Sequence, residues 1–296
     1  MPSYIQLEST TKCNLRCRSC IRSQETGFDI ALNLYHSIVD QMAASRQKRR
    51  AINLTGLGEP LLNTNIVSMV NYAKERDFNV GFFCNLTLMN EEKSIEFINA
   101  GIDYIQISFD SACKETFEKM RLGTAFDIIV KNVKGLVRTR NGHASSNGTR
   151  ITFFSTISEE NVEEIPQIIE LAKSLGVDAV FFGRAHGSSI KNPLSPARWK
   201  NLLESKTKTQ AVKHGNPQCI SGMYVAFDGK ALPCGHFIEM VPRKDYSCFQ
   251  FGDLNRDSLS DVWFSNRYKQ FRARIILGGK CRYCPEYCPV YEVKFQ

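Results

Sequence analysis

Through the first 183 residues of this 296-residue chain, short β-branched or aromatic runs alternate with longer stretches whose apolar positions recur at three- and four-residue spacing. The short runs predict strands at Tyr4 to Leu7, Ala51 to Leu54, Val80 to Phe83, Tyr104 to Ser108, Ile151 to Ser155 and Ala179 to Phe182. The longer stretches, such as Leu34 to Met42, Ile66 to Lys74, Phe126 to Val137 and Val162 to Ser174, predict amphipathic helices that cover a parallel sheet. Six such βα units are too few for a closed eight-stranded barrel. The expected fold class is therefore α/β, a partial, open (β/α)6 TIM-like barrel with its ligands at the C-terminal ends of the strands.

After Arg184 the pattern gives way to a Gly-, Ser- and Pro-rich connection, a short helix near Pro196 to Leu203, and a cysteine-bearing region with a hairpin signal at Asp228-Gly229. This break predicts a core domain over residues 1–190 and a small β-hairpin-plus-helix domain over 191–296. Asn141 to Thr149 is a polar loop before the fifth strand.

Hydrophobic residues at 43% and charged residues at 23% are ordinary for a globular protein, and no run reaches the roughly 20 apolar residues of a membrane span. The first residues lack a secretory signal, so the expected location is cytoplasmic, with no membrane partner. In that reducing compartment the 11 cysteines read as metal ligands rather than disulfides. A net charge of +8 invites a nucleic-acid reading, but only Arg46-Gln47-Lys48-Arg49-Arg50 forms a basic run, and no nucleic-acid partner is expected.

Cys13, Cys17 and Cys20 follow the first strand with Cys-x3-Cys-x2-Cys spacing. Three thiolates on a four-iron cluster leave one iron open to an exchangeable ligand. A zinc knuckle is the alternative, but it asks for a fourth ligand and no nearby His supplies one.

This cysteine trio resembles the signature of radical S-adenosylmethionine (SAM) enzymes. The resemblance implies a [4Fe-4S] cluster whose open iron chelates SAM, and reductive cleavage to a 5′-deoxyadenosyl radical that removes a substrate hydrogen atom. Gly56-Leu57-Gly58-Glu59-Pro60 is similar to the family's Gly-Gly-Glu-Pro motif, which places Gly56, Gly58 and Glu59 at the SAM amino group. Cys84-Asn85-Leu86-Thr87-Leu88 is similar to the family's Thr-Asn-Gly-Thr-Leu and adds Asn85 and Thr87 to the cofactor pocket. Ile107-Ser108-Phe109-Asp110-Ser111 resembles Ile-Ser-Leu-Asp-Gly, which puts Ser108 and Asp110 at the strand end where the family's Ser contacts the SAM ribose. Arg121 is a candidate partner of the methionyl carboxylate, with a surface arginine at a helix end as the plain alternative. Ser19 stands where relatives carry an aromatic residue, so adenine packing is expected to differ.

Cys219 and Cys234 flank the hairpin, and Cys281, Cys284 and Cys288 close the chain. Gly229-x4-Cys234 and the final cysteines resemble the SPASM and twitch extensions of radical SAM enzymes. The resemblance implies an auxiliary [4Fe-4S] cluster on Cys219, Cys234, Cys281 and Cys284. Cys288 is a possible substitute for one of them, Cys248 a possible ligand of a second site, and a zinc ribbon the alternative.

An auxiliary cluster that accepts an electron turns hydrogen abstraction into a two-electron oxidation. Small twitch dehydrogenases work in this way, which suggests a small-molecule substrate such as an aminocyclitol or sugar. That reading also rests on the chain's beginning at its first strand, with no N-terminal peptide-recognition domain. Peptide or protein modification is the second reading, and a zinc-stabilised nucleic-acid-binding protein the third. Arg184 and His186, after the sixth strand, are candidate substrate contacts. A flavodoxin or ferredoxin is the expected reducing partner.

Overall fold

The computed structural model describes residues 1–20, 27–143, 148–185, 194–207, 212–214, 218–238, 243–277 and 290–295. Its strands are β1 (Tyr4–Leu7), β2 (Ala51–Asn53), β3 (Asn79–Cys84), β4 (Tyr104–Ser108), β5 (Arg150–Ile157), β6 (Ala179–Arg184), β7 (Val212–His214), β8 (Gly222–Val225), β9 (Lys230–Leu232), β10 (Gly252–Asp253) and β11 (Val290–Lys294). The helices are α1 (Leu32–Ala43), α2 (Ile66–Lys74), α3 (Glu91–Asn99), α4 (Lys114–Met120), α5 (Phe126–Gly142), α6 (Ile165–Ser174), α7 (Pro196–Thr207), α8 (Gln218–Ser221), α9 (Gly235–Ile238), α10 (Leu259–Phe264) and α11 (Asn266–Ile276). No helix among the described residues is long and apolar enough to cross a membrane.

Two compact units divide the chain. The first is built from Met1–Cys13, Arg22–Phe82 and Pro217–Pro285, and the second from Asn14–Ile21, Phe83–Asn216 and Glu286–Gln296. Of the C-terminal third, Pro217–Pro285 falls in the first unit and Glu286–Gln296 in the second.

In the first unit the strand order is β10-β9-β8-β1-β2-β3. β1 pairs in parallel with β2 on one side, Tyr4 opposite Ala51, and with β8 on the other, Tyr4 opposite Gly222. β8 is buried along its whole length, whereas β1 alternates, with Ile5 and Leu7 fully buried and Tyr4 and Gln6 half-buried. The stripe Leu34, Tyr35, Ile38, Val39 and Met42 buries one side of α1. The Asp228-Gly229 signal forms a turn in which Gly229 takes φ +85°, and β8 and β9 pair antiparallel across it.

In the second unit the order is β4-β5-β6-β11-β7. β4, β5 and β6 run parallel, and β11 joins β6 antiparallel, Tyr291 opposite Phe182. The core here is aromatic, with Phe109 stacked on Phe153 at 4.4 Å and set against Phe117 and Phe126.

Candidate cofactor site

The loop that follows Cys13 is pinned by backbone bonds to the end of α4. Arg16 N donates to Leu122 O at 2.9 Å, Arg18 N to Met120 O at 3.0 Å, and Cys20 N turns back to Cys17 O at 3.1 Å. Arg121 emerges between those two anchors, its own N bonded to Phe117 O at 2.8 Å. Its side chain is 11% exposed, which removes the surface-arginine alternative. Nη2 lies 2.7 Å from Asp110 Oδ2, and Nη1 donates to Cys17 Sγ over 3.9 Å. Asp110 is fixed in turn, since its Oδ1 accepts from Thr156 N at 2.8 Å and its carbonyl from Asn161 Nδ2 at 2.6 Å. A carboxylate held in place thus holds a guanidinium against a cysteine sulfur. Asp110 makes its described contacts with protein groups. Ser108 sits half-buried at the C-terminal end of β4.

Asn85 and Thr87 meet a residue that sequence reasoning passed over, Asn14. Asn85 Nδ2 donates to Asn14 Oδ1 at 2.9 Å, Asn14 Nδ2 to Thr87 Oγ1 at 2.7 Å, and Thr87 Oγ1 to Asn85 Oδ1 at 2.7 Å. This triangle fixes the residue next to Cys13. Leu86, where the family motif carries Gly, takes φ +62°; its burial and a 2.9 Å bond from Asn132 Nδ2 to its carbonyl offset the strain.

The first unit holds Cys13 and the Gly-Leu-Gly-Glu-Pro segment. A Cβ at Gly58 would lie 2.2 Å from Thr10 O and 2.7 Å from Lys12 O, so only glycine lets this turn lie against the cysteine loop. Glu59 N donates to Lys12 O at 2.7 Å. The Glu59 carboxylate is 3% exposed and caps its own turn by accepting from Leu61 N at 3.2 Å. A second overlooked residue, Glu8, is fully buried just past β1; it accepts from Leu57 N at 3.2 Å and from Phe227 N at 3.3 Å. Glu8 thereby ties this segment to the end of β8. A buried carboxylate at a strand end was the signal available in the sequence, with nothing beside it to say what it bonds.

Cys219 lies on α8 and Cys234 just after β9. Cys234 and Leu57 both pack against the buried cluster of Tyr224, Ala226, Leu232, Phe237, Ile238 and Tyr246. Tyr268 of α11 donates to Gly222 O at 3.0 Å. Burial pushes its phenol well above the usual range; Arg272 opposes the rise, and Cys234 and Cys219 add to it. Cys281, Cys284 and Cys288 lie outside the described residues, as does His186. Arg184 ends β6 nearly fully buried, with Nη1 donating to Leu194 O.

Among the described residues, no three His, Cys, Asp or Glu side chains close on one point as a lone metal ion requires. Cys13, Cys17 and Cys20 form no disulfide, and a guanidinium adjoins one of them. That donor set fits an iron-sulfur cluster, because thiolates bind iron deprotonated and a neighbouring cation stabilises that form.

Residues 7–172 match the sequence family described as the radical SAM superfamily, more than half of the chain. The chain belongs to the radical SAM superfamily. Residues 219–285 match SPASM, an iron-sulfur cluster-binding domain. The family's SAM-binding [4Fe-4S] cluster, SAM itself and auxiliary iron-sulfur binding are therefore the cofactor chemistry of this enzyme. Among curated radical SAM relatives, the tungsten-containing aldehyde ferredoxin oxidoreductase cofactor-modifying protein of Pyrococcus furiosus is 26% identical, covering 91% of this chain and 83% of that protein. The PqqA peptide cyclase of Granulibacter bethesdensis is 22% identical, covering 96% of this chain and 79% of that protein. Among solved structures, Streptococcus suis SuiB bound to S-adenosylmethionine superposes with a TM-score of 0.72 at 14% identity, covering 92% of this chain and 68% of that one. The unclosed partial α/β barrel of radical SAM enzymes is accordingly the fold of this chain.

Proposed function

We propose that Cys13, Cys17 and Cys20 hold the SAM-binding cluster, and that the enzyme uses it to oxidise a carbon centre of a peptide substrate. When bound, the cluster and SAM supply a 5′-deoxyadenosyl radical that takes one hydrogen atom from the substrate. The chain's own residues orient and shield that chemistry. The observation that carries the reading is the Asp110–Arg121–Cys17 array, in which a buried cation faces the ligand sulfur; on this reading that cation receives the carboxylate of SAM. Gly56, Gly58 and Glu59 offer backbone carbonyls and a carboxylate to the SAM amino group. Asn85, Thr87 and Ser108 line the nucleoside end. Cys219, Cys234, Cys281 and Cys284 hold the auxiliary cluster.

The peptide reading draws on relatives that act on peptides, PqqA peptide cyclase by name and SuiB, solved with its precursor peptide SuiA. On this reading a peptide takes the place of the aminocyclitol or sugar expected from the sequence. Arg184, tied to Leu194 O, acts on this reading as a strut under the substrate side rather than as a proton carrier.

The experiment is reduction of the reconstituted enzyme with SAM, alone and with a small peptide encoded beside the gene. Peptide-dependent 5′-deoxyadenosine and a peptide lighter by about two hydrogens, the signature of a two-electron oxidation, support the reading. Turnover of an aminocyclitol in place of the peptide would restore the dehydrogenase reading, and no 5′-deoxyadenosine with any substrate would refute both.

A further inference from the structure

The one basic run of the sequence has no part in the chemistry above. It follows α1 with Arg46, Lys48 and Arg49 exposed, while Arg50 turns inward and donates to Ala43 O at 2.6 Å and Arg76 O at 3.2 Å. Gln47 Nε2 donates to Met1 O at 3.0 Å, so the run lies against the first residue. The Met1 amino group is partly buried and feels the Arg272 guanidinium of α11, both of which hold its pKa below the usual value. Ser3 N donates to Ser221 O at 2.8 Å, and Tyr268 of α11 donates to the adjoining Gly222 O at 3.0 Å, so a second basic segment lies by the same N-terminal residues. α11 carries Arg267, Lys269, Arg272 and Arg274 and no acidic residue; Arg267, Lys269 and Arg274 are exposed. Among the described residues no ion pair engages Arg46, Lys48, Arg49, Lys269 or Arg274. At the end of the helix Ile276 and Leu277 are 63% and 86% exposed, an apolar margin that suits a protein partner.

This cationic face adjoins the auxiliary site. α11 packs on α8, which carries Cys219, and Tyr268 reaches Gly222 just beyond it. Arg272 lies over the rings of Trp263 at 3.8 Å and Tyr268 at 4.7 Å. In sequence, α11 leads directly to Cys281 and Cys284.

We propose that the face formed by Arg46, Lys48, Arg49, Lys269 and Arg274 docks a small acidic electron-carrier protein, placing its redox centre beside the auxiliary iron-sulfur site. The exchange is one electron, lost by one centre and gained by the other, with no bond made or broken. Paired opposite charges steer such encounters and fix their orientation, while leaving affinity low enough for release. A nucleic acid would satisfy the charge but has no use for a redox centre beneath it. The inference rests on the auxiliary cluster proposed above.

The test titrates purified flavodoxin into the reconstituted holoenzyme by calorimetry at low and high salt, with iron content measured on the same samples. The expected result is salt-sensitive binding that Lys269→Glu/Arg274→Glu and, separately, Lys48→Glu/Arg49→Glu each weaken on the order of tenfold at low salt, with iron content unchanged. Lys131→Glu, on exposed α5, leaves it intact. Binding equal to wild type in both double variants, or no flavodoxin binding at all, overturns the docking face. So does tighter, salt-sensitive binding of duplex DNA to the same residues. Missing auxiliary iron in the wild type would instead count against the function proposed above, because flavodoxin affinity and iron are read separately.

Discussion

Asp110→Asn isolates the ion pair at the centre of the site. The substitution keeps the shape and leaves Oδ1 able to accept from Thr156 N, but removes the charge opposite Arg121. The two side chains are 3% and 11% exposed, so solvent screens the pair little. Stranding one member of a buried pair costs about 3–5 kcal/mol. The amide oxygen still accepts one hydrogen bond from the guanidinium, which sets the expectation at the lower end, about 3 kcal/mol. At roughly 2 °C per kcal/mol for a chain of this length, Tm falls by about 6 °C. The assay is anaerobic differential scanning calorimetry beside SAM titration. Asp110→Asn/Arg121→Met removes the stranded charge as well, and recovers most of the stability but none of the SAM affinity. A Tm within about 1 °C of wild type for Asp110→Asn, or strictly additive effects in the double variant, would refute the argument that Asp110 positions Arg121.

Cys17→Ala should reduce 5′-deoxyadenosine formation under dithionite to background, read by chromatography. Gly58→Ala puts a methyl group against two backbone carbonyls that cannot rotate away, and should cost about 2–3 kcal/mol and weaken SAM binding, seen in denaturant melts and SAM titrations. Cys234→Ser should lower iron from about eight to about four per chain while substrate-free SAM cleavage persists, by iron assay and product analysis. The Tyr35 phenol donates to Met69 O at 2.6 Å, and burial raises its pKa above the usual 10.0. The folded state thus favours the protonated form, and the stability this contributes is complete below pH 10 and lost as pH rises beyond it. Tyr35→Phe should reduce the alkaline loss, leaving the share of buried Tyr268, and cost about 1 kcal/mol at neutral pH, measured in pH-dependent melts.

The six βα units were legible because strands buried on both faces and helices buried on one leave different periods in a sequence, as Tyr104–Ser108 and Ile66–Lys74 do. The hairpin was legible from its turn chemistry at Asp228-Gly229. What local pattern could not report is where β8 and β11 go. The run that forms β8 read as strand-like and that of β11 did not, and pairing β8 with β1 or β11 with β6 spans more than a hundred residues, a gap across which register leaves no periodic trace. The same holds at the site. Cys13, Cys17 and Cys20 announce themselves through spacing, whereas Arg121 gains its meaning from Asp110 and Cys17, and Glu8 from Leu57 and Phe227. Helix α3 has few apolar positions; Asn90, accepting from Lys93 N at 2.8 Å, caps a mostly polar segment held by burial of Phe97 and Ile98.

Electron paramagnetic resonance of the dithionite-reduced, anaerobically reconstituted protein, recorded with and without SAM, bears most directly on the cluster assignment. The account predicts a reduced [4Fe-4S] signal whose g-values move when SAM is added, in wild type and in Cys234→Ser, and which disappears with Cys17→Ala. A cluster spectrum indifferent to SAM in the wild type, or a SAM-responsive one that survives Cys17→Ala, would contradict it.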